Sequence, residues 1–385
     1  MEKVIVYAFP VFGLLMAAEF ALGLARGRNN YRLNDTLSSL SQGLLSQITL
    51  LFTNFLHVGV FTLAAASLAL WHAPQFWRAW YGWLAALVLV DFCGYWVHRC
   101  SHERSILWAA HVVHHQSQAF NFSTALRQES AYPLLSWIFY LPLALMGMPP
   151  EEFAVAWLAV LLYQVWIHTE HVGKLGWLEW IFATPSNHRV HHAVNDCYID
   201  RNYGGWLIIW DRIFGTYAQE GPEPCVYGTR PSLDSWDPLR ANLVIYGKLL
   251  RDSWRTRRCS DKLRIWFEAP AWRPADVARD DPRPAFDITQ VRVFDPPVAR
   301  GALALAAVQF LALAGASAAL LWYADELGRA AAFAWVAGIT AGLWVIGRVL
   351  QDRLGLVQAL LADALIVLAL AAASGAVTKA LSDLP

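Results

Sequence analysis

Charge is scarce in this 385-residue chain: Asp, Glu, Lys and Arg make up 16% of it, against about 25% in an ordinary soluble domain. The 30 acidic and 30 basic residues cancel, and no sustained basic run exists, which excludes an electrostatic footprint for nucleic acid. Lysine is nearly missing, occurring only as Lys3, Lys174, Lys248, Lys262 and Lys379. With the Ala-rich apolar segments, this Arg-for-Lys usage suggests a bacterial inner membrane. Cysteine is sparse too. The five residues Cys93, Cys100, Cys197, Cys225 and Cys259 form no CxxC, and an odd count excludes a closed disulfide framework, fitting reduced thiols that face a cytoplasm. No GxGxxG fingerprint, internal repeat or low-complexity segment is present, so the chain carries no recognisable nucleotide-binding module. What is plentiful is apolar surface, 57% hydrophobic residues with 20 Trp, which excludes disorder and points to lipid.

A window of about 19 residues, enough to cross a hydrocarbon core of about 30 Å, finds apolar segments at roughly Val4–Leu24, Leu44–Leu70 and Tyr81–Val97. Tyr132–Met146 and Phe153–Ile167 follow, a short pair that spans or re-enters, and Ala302–Tyr323, Ala330–Val349 and Leu356–Val377 close the chain. The first lacks a basic start and a cleavage site and reads as a retained span. The expected fold is therefore an all-α integral membrane protein of about eight transmembrane or re-entrant helices. Arg26, Arg28, Arg32, Arg99, Arg104, Arg127, Arg348 and Arg353 gather in alternate loops. By the positive-inside rule both chain ends lie outside, and residues 168–301 face the cytoplasm. Four divisions follow: N-terminal spans over 1–80, a histidine-rich domain over 81–220, a cap over 221–301 and C-terminal spans over 302–385. The cap carries Trp236, Trp254, Trp266 and Trp272, amphipathic aromatics that suit a layer lying on the bilayer surface.

Ten of the 12 histidines fall between His98 and His192. His98 and His102 have the i, i+4 spacing that puts two imidazoles on one helix face. His111, His114 and His115 form an HxxHH run, as do His188, His191 and His192, and His168 and His171 follow an apolar segment. Such spacings let one helical turn present two rings to one metal and a third to a neighbour. Imidazole alone does not choose among Fe, Zn, Cu and Ni. Eight to ten ligands exceed what one ion uses, so two metals are expected.

The runs His98-Arg-x-x-His102-Glu103, His111-x-x-His114-His115 and His188-Arg-Val-His191-His192 resemble the membrane-bound fatty acid hydroxylase/sterol desaturase superfamily. Asn121-Phe-Ser-Thr-Ala-Leu-Arg-Gln128, Ile167-His-Thr-Glu170, Thr184-Pro-Ser186 and Asn202-Tyr-Gly-Gly205 with Leu207-Ile-Ile-Trp-Asp-Arg212 resemble its alkylglycerol monooxygenase-like branch. The dense likeness covers about residues 90–220. It implies two iron ions held by His98, His102, His111, His114, His115, His168, His188, His191 and His192. The implied reaction oxidises an unactivated lipid C–H bond with O2, using a separate electron donor, a reduced pterin or an electron-transfer protein. In the alkylglycerol version, hydroxylation beside the ether oxygen gives a hemiacetal that collapses to aldehyde and glycerol. Asn187 departs from the pattern, standing where relatives often have a further His. His171 departs as well, at a position usually aliphatic in this branch, and is an additional candidate ligand.

Metal-bound imidazoles usually donate their second N–H to a carboxylate or carbonyl. Glu103, Glu170, Asp196 and Asp211 are the carboxylates near the motifs, with Glu103 the first candidate for that role or, alternatively, a salt-bridge partner of Arg99 or Arg104. Asp211 reads either as a site residue or as a structural pair with Arg212. Ser123, Arg127 and Gln128 either line a substrate entrance or cap the next helix. Other members of the superfamily hydroxylate or desaturate sterols, fatty acids and carotenoids. From other classes, a metal transporter would need midplane sites between discontinuous spans, and an inactive lipid-binding relative would show gaps in the histidine set.

Overall fold

A computed structural model describes residues 2–382, with side chains described for 6–371. The chain is helical, and among the described residues only two isolated β-bridges occur, Phe182 with Leu207 and Ala193 with Tyr227. Among the described residues, five helices are long and apolar enough to cross a membrane: Val6–Ala25, Leu33–Leu68, Trp80–Glu103, Arg300–Trp322 and Arg329–Val349. The expected pair near 132–167 takes a different form. Pro142 and a 3-10 turn at Trp137–Tyr140 break the first member, leaving an apolar stretch of Pro133–Leu145, and the second is the 17-residue helix Pro150–Trp166. At 1.5 Å per residue both are shorter than the roughly 30 Å core. The last expected span, Leu356–Val377, extends past the residues whose side chains are described.

The Leu33–Leu68 helix starts eleven residues before the expected boundary at Leu44, because its first turns are polar yet buried. Asn34, Asp35, Ser38, Ser39, Ser41, Gln42 and Ser46 all lie inside the protein. They bond to the histidine-bearing region: Ser117 Oγ donates to Asp35 Oδ1 at 2.5 Å, Arg127 to Ser38 Oγ at 3.1 Å, and Ser46 Oγ to the Glu129 carbonyl at 3.2 Å. Thirty-six residues of helix measure about 54 Å, so the element both crosses the apolar layer and rises beyond it as a strut. Close approach at Gly43 seats it, since a Cβ there would stand 2.4 Å from the Leu126 carbonyl.

In sequence, the segment after Tyr217 lies between the two sets of long helices. Its Pro238–Arg255 helix packs on Ser105–His115, with Ala109, Leu249 and Ile265 buried between them. The Ser105 and Ile106 amides donate to the Glu268 and Trp266 carbonyls at 2.8 Å each. Arg273 is held in a buried ion pair with Asp252 at 2.8 Å. Below, Asp91 on the Trp80–Glu103 helix accepts the Trp206 and Leu207 amides and the Trp210 indole N–H, tying the returning loop to a span.

The N-terminal helix contributes one buried carboxylate, Glu19, only 4% exposed in an otherwise apolar element. A carboxylate there is costly unless fully bonded. Glu19 accepts from Thr169 Oγ1 at 2.5 Å, Tyr31 Oη at 2.5 Å and the Phe122 amide at 2.8 Å, fastening the first span to the residue beside His168. Replacing it with Ala leaves three donors without this acceptor, the buried Thr169 hydroxyl at about 1–3 kcal/mol and those of the half-buried Tyr31 and Phe122 at less. Thermal unfolding of the purified Glu19→Ala protein should therefore show a clearly lowered midpoint, with Glu19→Gln intermediate.

Candidate metal centre

Four segments deliver the rings. Trp80–Glu103 ends with His98 and His102 on its last turns; the chain then breaks at the extended Arg104 and restarts as Ser105–His115, which carries His111, His114 and His115. His168 stands just beyond the Pro150–Trp166 helix. The short Pro185–His192 helix carries the second HxxHH run, and its start is fully specified: Thr184 caps it, Pro185 occupies the first turn, and Asn187 closes a capping box. Asn187 thus serves the helix terminus and belongs to neither histidine group.

The nine rings converge in two groups, within each of which one nitrogen per ring lies within 4.8 Å of all the others: His98, His102, His111, His115 and His191, and His114, His168, His188 and His192. Each HxxHH run serves both. His111 and His115 face the first group and His114 the second, whereas His188 and His192 face the second and His191 the first. The His115 and His192 rings stack at 4.5 Å where the groups meet.

Proton bookkeeping tests whether this donor set fits metal. Carbonyl oxygens only accept, and His98, His114, His168 and His191 direct Nδ1 at the carbonyls of Tyr203 (2.7 Å), Arg127 (3.0 Å), Gln164 (2.7 Å) and Arg201 (3.0 Å). Nδ1 therefore carries the proton in each, and Nε2 is a bare lone pair. Two such lone pairs, on His114 and His168, face each other at 3.2 Å. In His98, His102 and His191 the buried Nε2 has no protein partner. Bare nitrogens packed this way repel unless a cation stands among them. Nε2 separations of 3.0–3.2 Å recur for His111–His115, His168–His188 and His188–His192. With metal–imidazole bonds of about 2.1 Å, nitrogens at a right angle on one ion stand about 3.0 Å apart and at the tetrahedral angle about 3.4 Å. The spacing is that of imidazoles that could share one ion. Burial also keeps the rings neutral, as ligation requires: it pushes His111 down to about 3 and His114 down to about 4, and His115, His168, His188, His191 and His192 well below their ordinary value.

The carboxylates that meet these rings are Glu129, 2.6 Å from His111 Nδ1, and the 58%-exposed Asp200, 3.3 Å from His102 Nδ1. Neither stands in a histidine motif, and nothing in the spacing points to them. Glu103 turns instead to Arg99 at 2.8 Å and is 41% exposed. Asp211 makes no pair with Arg212, whose guanidinium lies over Trp180 and Tyr217. It accepts the Tyr203 and Gly204 amides and the Thr216 hydroxyl, and so fixes the backbone whose carbonyl orients His98. Arg127 is buried, donating to the Val113 carbonyl, Ser38 and Gln116 while its own carbonyl receives His114. Ser123 bonds within the Asn121 cap, and Gln128 donates to the Ala125 carbonyl. His171 lies apart from both groups, its ring 3.3 Å from where a Cβ on Gly23 would stand.

The lowered histidine pKa values fix a pH response. The unfolded chain, with His near 6.5, binds more protons than the folded metal-free protein below that pH, so stability falls as pH drops from about 6.5 toward about 4. The unfolding midpoint of metal-free protein should fall steeply between about pH 7 and about pH 5, while metal shifts the fall to lower pH by competing with protons.

Residues 83–216 match the fatty acid hydroxylase family. The chain is 41% identical over 268 residues to alkylglycerol monooxygenase of Homo sapiens, covering 69% of this chain and 59% of that protein. It is 39% identical over 296 residues to alkylglycerol monooxygenase of Danio rerio, covering 77% and 65%. A likeness of 29% over 152 residues, 37% of this chain and 44% of the other, links it to the ornithine lipid hydroxylase OlsE of Rhizobium tropici. The chain thus spans about three-fifths of the animal relatives. No solved structure matches. All nine motif histidines are thus gathered in two groups inside the segment that matches the fatty acid hydroxylase family, and over that segment the chain is similar to alkylglycerol monooxygenases.

Proposed function

We propose that the protein is a multi-pass membrane monooxygenase that binds two iron ions and hydroxylates a lipid C–H bond with O2 and electrons from a separate donor. The observation that carries this reading is the pair of buried histidine groups whose unprotonated nitrogens face one another. His98, His102, His111, His115 and His191 hold one ion, and His114, His168, His188 and His192 the other. Iron bound there supplies the activation of O2 toward an unactivated C–H bond. The protein's own part is to keep the rings neutral, oriented by the carbonyls of Tyr203, Arg127, Gln164 and Arg201 and by Glu129, and shut away from bulk water beneath the cap. In this reading residues 81–220 are the catalytic domain, capped by 221–301 and flanked by spans, with the catalytic face cytoplasmic, the 132–167 pair re-entrant and the membrane that of a bacterium.

The substrate side rests on an apolar groove of about 370 Å³, lined by Leu89, Phe92, Cys93, Trp96, Ile138 and Leu143. It runs along the Trp80–Glu103 helix just before His98 and suits an alkyl chain entering from the bilayer. A chain seated there with its head toward the histidines presents a carbon near the head group. An alkylglycerol ether fits, since hydroxylation beside the ether oxygen yields a hemiacetal that splits into aldehyde and glycerol.

Lipidomics of membranes with and without the expressed protein should show ether-lipid loss with aldehyde formation, and purified protein should hold two irons per chain. His114→Ala and His191→Ala, one from each group, should each lower turnover at least a hundredfold and deplete iron. Full activity in either variant rules the reading out, and a one-oxygen gain on another lipid class would move the substrate.

A further inference from the structure

The Pro238–Arg255 helix buries one side and leaves the other bare. Ala241 and Leu249 lie on the inner side, where Leu249 packs with Ile265 on Ala109 of the Ser105–His115 helix. Leu239, Leu243, Leu250 and Trp254 are exposed, Trp254 at 87%. At about 100° per residue these four fall within one arc of about 60°, and the exposed Arg240, Arg251 and Arg255 follow within the next 100° or so. An apolar stripe edged by a basic row is the pattern of a helix that lies in a membrane surface.

Charge and placement point the same way. Of the ten charged residues from Pro238 to Arg264, eight are basic, in a chain whose net charge is zero. The two acids, Asp252 and Asp261, are buried, so the outward charge is positive. Arg255 pairs with Asp281 at 3.2 Å, whereas Arg240 and Arg251 form no ion pair among the described residues. Lys248 is held below its ordinary value by burial and then by the neighbouring Arg283, Arg240 and Arg251. The helix starts where the Arg329–Val349 span ends: a Cβ on Gly347 would stand 2.6 Å from the Trp236 carbonyl, and Ser235 Oγ donates to Gln351 at 3.2 Å. Asn242 donates to Gln42 at 2.8 Å, two residues before the apolar run that opens at Leu44. After the helix the chain turns back, and Trp266 and Glu268 receive the Ile106 and Ser105 amides just beyond the end of the Trp80–Glu103 span. Resting on the ends of different spans, the helix lies across them, at the depth of the lipid headgroups.

We propose that this helix is an in-plane anchor for an acidic leaflet, its stripe sunk at the acyl boundary and Arg240 and Arg251 on the phosphates of anionic phospholipids. Juxtamembrane bases gain from the negative surface potential of such a leaflet. A second copy docked through the same stripe would bring two arginine rows together, which charge opposes. The inference needs the membrane spans but not the oxygenase reading. Through its inner side the helix joins the leaflet to the element that carries His111, His114 and His115.

The test uses the full-length chain in nanodiscs of phosphatidylcholine, with or without about 30% phosphatidylglycerol. A membrane-impermeant maleimide should label Leu250→Cys at least fivefold more slowly in the anionic discs, read peptide by peptide, while the exposed native Cys197 labels equally in both. Leu243→Cys repeats the measurement on the same stripe if Leu250→Cys does not fold. Raised salt should shrink the difference, because it screens exposed charge. The double variant Arg240→Gln/Arg251→Gln should abolish that difference and retain at least threefold less phosphatidylglycerol after purification from mixed lipid. Equal labelling rates in the two discs, or unchanged lipid retention in the double variant, overturn the recognition of acidic headgroups. Labelling in anionic discs as fast as in the unfolded chain overturns the docking itself, and protection found only in discs that hold two copies gives the stripe to a second chain instead.

Discussion

Unprotonated imidazole nitrogens facing one another at about 3 Å are the constraint on which the rest of the molecule depends. Left alone they repel, and burial denies them the water that would relieve the conflict. Backbone carbonyls fix the proton on the far side of four rings, so those rings cannot escape by tautomerising. The carbonyls are themselves held: Tyr203 by Asp211, Arg127 by contacts to the Leu33–Leu68 helix and to the turn of Val113. A cation held there would therefore contribute directly to the folded state, as in other sites where ligand protonation, metal and folding are linked. The long helices supply the stiffness that such an arrangement needs.

Much of this was legible in the amino-acid order, and the limits are physical. HxxxH and HxxHH are helical spacings, so eight of the nine rings could be assigned to helix faces before any tertiary contact was known, His168 standing outside these runs. The partition of each HxxHH run between two groups follows from the same geometry, because residues at i and i+4 share a face that i+3 only partly shares. Glu129 and Asp200 were not legible. They meet His111 and His102 across 18 and 98 residues of chain, and only tertiary folding relates such positions. Glu103 sat in the motif itself, yet at i+4 from Arg99 it finds a cation on its own helix first.

The membrane elements show a similar boundary. Hydropathy detects what faces lipid, so the apolar parts of the five long helices stood out. It is blind to a helix whose polar side chains are satisfied inside the protein, which is why the strut beginning at Leu33 looked like a loop. It is equally blind to proline and 3-10 breaks that shorten an apolar run, as at Pro133–Leu145.

The crossing of the two HxxHH runs, each giving two rings to one group and one to the other, has a mechanical meaning. The gap between the groups is set by the pitch of two short helices and not by any flexible linker, so it behaves as a ruler cut into covalent structure. Neither centre can expand, shift or lose its occupant without turning a helix that the other also uses. Ions held in the two groups would thereby be yoked, strain created at one being delivered to its neighbour through a single turn of backbone.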